Sequence, residues 1–195
     1  MRIRYGEYSL RSKLMEFSQY SPKAEVFDSE EDAGGVQAFG IYWSRDLVAW
    51  KRSCKLLGQQ QIGSEAVNMA GQVGIYLLYD GREVIYVGRS VDRPLGIRLF
   101  EHTQDRLRAR WDRFSWFGLY PVREDGDLVQ SVPTIDSDTL IRTLEAVAIE
   151  SLEPRQNRKR GDDLAGMEYI QAADPELAAR EKIALLNELS NSIRS

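Results

Sequence analysis

At 195 residues the chain suits one domain, or a small domain with extensions, and can bury a core. Hydrophobic residues make up 43% and charged residues 29%, an ordinary globular balance, and a net charge of −4 argues against indiscriminate coating of nucleic acid. No apolar run approaches the roughly 20 residues that a bilayer span needs, and residues 1–7 lack the apolar core of a signal peptide. Cys54 is the only cysteine, which excludes a disulfide framework and a thiolate zinc cluster. A reducing, cytoplasmic setting is the simplest expectation.

No internal repeat or long low-complexity tract interrupts the chain. Residues 1–20 fit a short helix or a strand equally. Residues 21–37 are acidic and contain Gly34-Gly35, so they read as a loop. Residues 39–43 read as a short strand, after which Ser44 and Asp46 can cap a helix reaching about residue 57 and ending at Gly58. Gly71 then breaks the chain. Residues 73–79 and 83–88 are β-branched and aromatic runs joined by Asp80-Gly81-Arg82-Glu83, which predicts an antiparallel hairpin. Pro94 suits the first turn of a helix running to about residue 108. A third strand follows over 114–122, then a helix over 139–152 stopped before Pro154. The tail from Asp174 carries Leu185, Leu186, Leu189 and Ile193 at helical spacing, a stripe that covers either this domain or a second subunit. The expected fold is α+β, a small three-stranded antiparallel sheet flanked by helices. It occupies residues 71–160, with an extension over 1–70 and a helical tail over 161–195.

Charge is unevenly distributed. Residues 89–113 hold seven arginines against four acids, and Arg155, Arg158, Lys159 and Arg160 form a second basic cluster. Acid collects over residues 25–32 and 124–138. Both basic clusters are arranged as a phosphate-facing surface requires, although two solvated helix faces would look the same. Trp43, Trp50, Lys51, Arg52 and Lys55 combine aromatic rings with cations, either to read a groove or as a packing element, the simpler account.

Hydrolysing a phosphodiester takes an aligned water, a proton acceptor, countercharge for the transition state and help for the leaving oxygen. Paired strands would bring Tyr76 and Tyr86 near one another, and ordinary packing is the other reading of such a pair. Tyrosine titrates near 10, so it is a poor base at neutral pH unless a cation such as Arg98 or a metal lowers that value. Arg98 and His102 are four apart on one helix face, and arginine offers phosphate a fixed, permanently charged fork. His102 is the only histidine, so a multi-histidine metal site is excluded. Glu145 falls among Ile141, Ile149 and Leu152 on a helical wheel, where a carboxylate is costly unless a cation or donor meets it. One carboxylate with a phosphate oxygen and several waters suits Mg²⁺, and an ion pair with a nearby arginine is the alternative. Gly88 permits close approach of substrate or of a neighbouring element, and Arg89 and Ser90 are positioned to touch a phosphate. Asn157, taken alone, is a turn residue.

Gly74-Ile75-Tyr76, Tyr86-Val87-Gly88, Arg98, His102, Glu145 and Asn157 occur in the order and spacing of the GIY-YIG nucleases, with valine for the middle isoleucine of the second triplet. The resemblance covers about half the chain, over residues 73–160, and the Arg-x3-His register is similar to the restriction-endonuclease branch. It implies a one-metal hydrolysis. Tyr76 accepts the water proton, Tyr86 and His102 support it, Arg98 faces the phosphorane-like charge, Glu145 holds Mg²⁺ and Asn157 orders the active-site loops. Mn²⁺ would substitute for Mg²⁺. Lys51, Arg52, Arg158 and Lys159 are the remaining candidate substrate contacts. A second triplet, Gly40-Ile41-Tyr42, lacks a Tyr-Ile-Gly-like partner and reads as coincidence. The expected function is therefore DNA cleavage of restriction or phage-defence type by a homodimer without membrane attachment. A structure-specific nuclease of repair, recombination or mobile elements is the alternative, and a silent nucleic-acid-binding module is the alternative from another class.

Overall fold

A computed structural model describes residues 35–153 and 164–194. Strand β1, Ala38–Ser44, is bulged between Gly40 and Trp43, with Tyr42 at φ 52°. Strands β2, Leu57–Gln59, and β3, Val67–Asn68, follow, then the hairpin of β4, Gly74–Asp80, and β5, Glu83–Ser90. Helix α1, Leu95–His102, leads to β6, Arg113–Gly118, and helix α2, Ser137–Leu152. Short strands β7, Met167–Glu168, and β8, Ile170–Gln171, precede helix α3, Pro175–Arg194. The class is α+β, as the sequence implies, but the sheets are larger than expected. Five strands pair in the order β5-β4-β6-β1-β7, antiparallel except for β1 with β7, and three more pair antiparallel as β3-β2-β8.

The hairpin forms where expected, and its turn explains its glycine. Asp80 pairs with Glu83, leaving the two-residue loop Gly81-Arg82, and Gly81 takes φ 59°, the positive value such a tight turn needs at its first position. Because β4 lies between β5 and β6, Tyr76, Leu77, Leu78 and Tyr79 are all buried. Alternation sends them to opposite faces. Tyr76 and Leu78 join Trp43, Phe114, Trp116, Leu95 and Leu99 in the larger core cluster, the face α1 covers. Leu77 and Tyr79 join Phe39 and Phe117 in a second cluster, where Val147 of α2 packs.

Three expected elements are corrected. The helix over residues 46–57 is absent: one 3-10 turn, Arg45–Leu47, is all that forms. Trp50 packs edge-on against Trp111 and Phe114 while its Nε1 donates to the Arg45 carbonyl at 2.9 Å, so tertiary contacts override the local helical signal. Gly58 sits inside β2, paired with Val67 and Gln171, where it ends no helix. The helix after Pro94 ends at His102, because Thr103 and Asp105 side chains bond nearby backbone groups and compete with the helical ladder. The third strand stops at Gly118, with Tyr120 N–H donating to Gln72 Oε1 at 3.1 Å.

Helix α2 begins two residues ahead of the expected start, because Asp136 accepts the Thr139 N–H at 2.8 Å as its cap. β1 lies inside the sheet that holds the motif strands, and Ala38, Trp43, Val48, Leu56 and Met69 belong to the larger core cluster. Among the described residues no helix is long and apolar enough to cross a membrane. Residues 1–34, the basic run at 155–160 and Asn157 lie outside the described residues.

Candidate active site

Four of the motif side chains meet on one face of the hairpin. α1 carries Leu95, Leu99 and His102 on its buried side, a spacing of four and three that rolls the imidazole onto the sheet with the leucines. His102 is 5% exposed, and its Nε2 lies 2.8 Å from the Tyr76 hydroxyl. Tyr86 sits edge-on to His102 with ring centroids 4.8 Å apart, and 6.2 Å from the Tyr76 ring. Arg98 donates to Glu101 Oε2 at 2.9 Å, and Arg93 pairs with the other oxygen of that carboxylate. Tyr76 is fully buried whereas Tyr86 is half-buried, so solvent reaches the pair from the Tyr86 side.

The glycines of both triplets have a steric reason. A Cβ on Gly88 would lie 2.3 Å from Tyr76 Cζ and 2.4 Å from its hydroxyl oxygen, so Gly88 makes room for the tyrosine itself. Gly74 has φ +151°, and a Cβ there would meet the Phe117 carbonyl oxygen at 2.0 Å. The duplicate triplet is elsewhere. Tyr42 packs on Tyr79, on the opposite side of the sheet from Tyr76.

Burial pushes the Tyr76 hydroxyl up to about 12, and the nearby Arg98 charge offsets only part of that. Burial opposes the Arg98 charge, but Tyr76, Glu101 and Tyr86 outweigh it and raise its pKa. A tyrosine in that state is not ionised at neutral pH.

Sequence reasoning missed Asp105. Its Oδ2 lies 2.7 Å from His102 Nδ1, and its Oδ1 accepts the Leu107 N–H at 2.7 Å. Its carboxyl is held below the usual range: partial burial opposes this, but the Leu107 amide, His102 and Arg106 prevail. The available signal was a His-x2-Asp spacing at the end of a short helix, hidden by reading the helix onward to residue 108.

Other candidates are placed differently. Ser90 is buried inside the hairpin, its hydroxyl 3.4 Å from the Gly74 carbonyl, so it does not face a phosphate. Lys51 pairs with Glu176 at the start of α3, and Trp43 is 2% exposed in the core, which makes this stretch a packing element. Arg52 and Arg89 are exposed, as are Arg106, Arg108, Arg110 and Arg113. Arg158 and Lys159 lie outside the described residues.

Glu145 is the main departure. It is exposed, and Ile141 and Leu152 beside it are 64% and 67% exposed, so the stripe that was to bury it is open to solvent. α2 packs through Ala146 and Val147 instead, against the sheet face opposite Tyr76. No described hydrogen bond or ion pair involves Glu145, and among the described residues no group of three or more His, Cys, Asp or Glu side chains could hold a metal ion. One free carboxylate suits a hydrated Mg²⁺, and Glu145 carries it on the helix that packs against the other sheet face.

A cavity of about 700 Å³ shares no residue with this cluster; it is rimmed by Glu65, Glu124, Asp125 and Asp127, which suits an anionic backbone poorly. In comparisons with known proteins the chain has no significant match to any family model, curated protein or solved structure.

Proposed function

We propose that the chain is a DNA endonuclease of the GIY-YIG kind, hydrolysing phosphodiester bonds at the Tyr76–Tyr86 pair in a restriction or phage-defence role. The observation that carries this reading is the buried hydrogen bond between Tyr76 and His102, beside Arg98. A tyrosine titrating near 12 cannot wait as a tyrosinate at neutral pH. It can relay a proton. Water attacks phosphorus and its proton enters the tyrosine pair, while Tyr76 gives its own proton to His102 Nε2. The bond from phosphorus to the 3′ oxygen breaks, leaving a 5′-phosphate and a 3′-hydroxyl that takes its proton from solvent. Arg98 faces the charge that builds on the non-bridging oxygens, where its fixed fork is most useful.

Arg106, Arg108 and Arg110, which follow α1, are exposed, and such a basic run suits a phosphate backbone. Mg²⁺, or Mn²⁺ in its place, is the ion we propose for the reaction, but the proton transfers assigned to these side chains do not run through it. Two copies of the chain are needed if both strands are cut at one site, since each carries a single tyrosine pair.

The test is a cleavage panel with Mg²⁺ and, in parallel, with chelator. It holds plasmid, modified phage DNA, unmodified genomic DNA, branched oligonucleotides and RNA. Discrete duplex cuts with 5′-phosphate ends are expected, and they should vanish with chelator. Cutting confined to branches or single strands would move the protein to repair or recombination. Binding without cutting would make it a silent module.

A further inference from the structure

We propose that Asp105 is a positioning residue that fixes the tautomer of His102 and so the direction of the Tyr76 hydrogen bond, a role that rests on the relay proposed for that site. An ionised carboxylate only accepts hydrogen bonds. Its Oδ2, 2.7 Å from Nδ1, therefore requires the proton on Nδ1 and leaves Nε2 as an acceptor. The hydroxyl of Tyr76, 2.8 Å from Nε2, must then be the donor. That is the polarity a relay toward the imidazole needs. With the proton on Nε2 instead, His102 would donate to Tyr76 and the outward path would be closed.

The carboxylate is held for this task. Oδ1 accepts from the Leu107 amide at 2.7 Å, which sets the rotamer, and Leu107 and Trp111 are buried behind it. Trp111 Nε1 donates to the His102 carbonyl at 3.2 Å, tying the end of α1 to the same turn. Once His102 has taken a proton, the same carboxylate faces an imidazolium, which pairing with Asp105 stabilises. The other ionisable groups of the cluster are Tyr76 from β4 and Tyr86 from β5, which face the ring, Arg98 with its partner Glu101 on α1 itself, and Arg106, which acts on Asp105. None of them accepts from Nδ1, so the assignment falls to Asp105.

Because His102 is the only histidine, its ring nitrogens can be read without assignment work in the uniformly ¹⁵N-labelled full chain. With the ring neutral, the wild type should give a protonated Nδ1 and an unprotonated Nε2. Asp105→Asn keeps an oxygen for the Leu107 amide but can present an N–H to Nδ1, and it should shift the ring toward the Nε2–H form. On a cleaved substrate kcat should fall by about 10²–10⁴-fold with KM within about threefold, as expected when general acid–base transfer is lost and binding is kept. An Nε2–H ring in the wild type, or an unchanged tautomer in Asp105→Asn, overturns the proposal. The two tautomer readouts work in a protein that cuts nothing, so a failed nuclease reading is told apart from a failed role for Asp105.

Discussion

At the scale of single residues, Gly88 explains the second triplet better than any contact with substrate. The Tyr76 hydroxyl occupies the space above its Cα, so Gly88→Ala should displace the tyrosine and break its bond to His102. Overpacking of this kind costs about 1–3 kcal/mol. Cleavage should fall further than stability does, which paired melting and activity measurements would check. Full activity in Gly88→Ala would mean the hydroxyl is not needed where it sits. Tyr76, Tyr86, Arg98 and His102 were legible from sequence because their register is local: a hairpin sets the first pair and one helical turn the second. Asp105 was not, since a side chain competing for backbone bonds ended α1 before it. The exposure of Glu145 was not legible either, for a different reason. Its helical wheel is apolar on one side, but a wheel does not say which side meets the sheet, and Ala146 and Val147 do.

At the scale of elements, small residues decide what fits. Gly58 lies in β2 with its missing Cβ 2.9 Å from the Trp43 ring and 2.9 Å from Tyr169 Cβ. Gly58→Ala should lower stability by about 1–3 kcal/mol, which at this chain length is a melting shift of roughly 2–4 °C per kcal/mol. No shift would mean β2 does not pack on Trp43 in solution. The hairpin and α2 were readable because alternation and an Asp136 cap act within a few residues. β2 was not, because its pairing with β8 joins Gly58 to Gln171, far along the chain, and nothing near residue 58 announces it. The start of α3 has its own signature. Lys51 and then Arg180 hold the Glu176 carboxyl down at about 2, well below its ordinary 4.5. A lowered carboxyl pKa gives stability that is complete above the ordinary value and lost as pH falls toward the folded one. Wild type should therefore exceed Glu176→Gln in melting temperature near neutrality, and the two should converge as pH drops from about 4.5 toward 2. A gap that stays constant with pH would rule out the ion pair as its source.

At the scale of the whole molecule, one sheet serves two purposes. Its α1 face holds Tyr76, Tyr86, His102 and Arg98, and its other face, through Phe39, Leu77, Tyr79 and Phe117, anchors α2. The five-stranded architecture, with β1 between β6 and β7, was not legible because long-range pairing leaves no local trace. The proposed chemistry depends on a single hydroxyl, so the most direct measurement compares wild type with Tyr76→Phe on whichever DNA the wild type cuts, beside their melting curves. Phenylalanine keeps the buried ring and removes the proton path. A loss of about 10²-fold or more in cleavage, with the fold retained, is the predicted result. Cleavage by Tyr76→Phe at the wild-type rate would contradict the relay and leave the tyrosine as core packing alone.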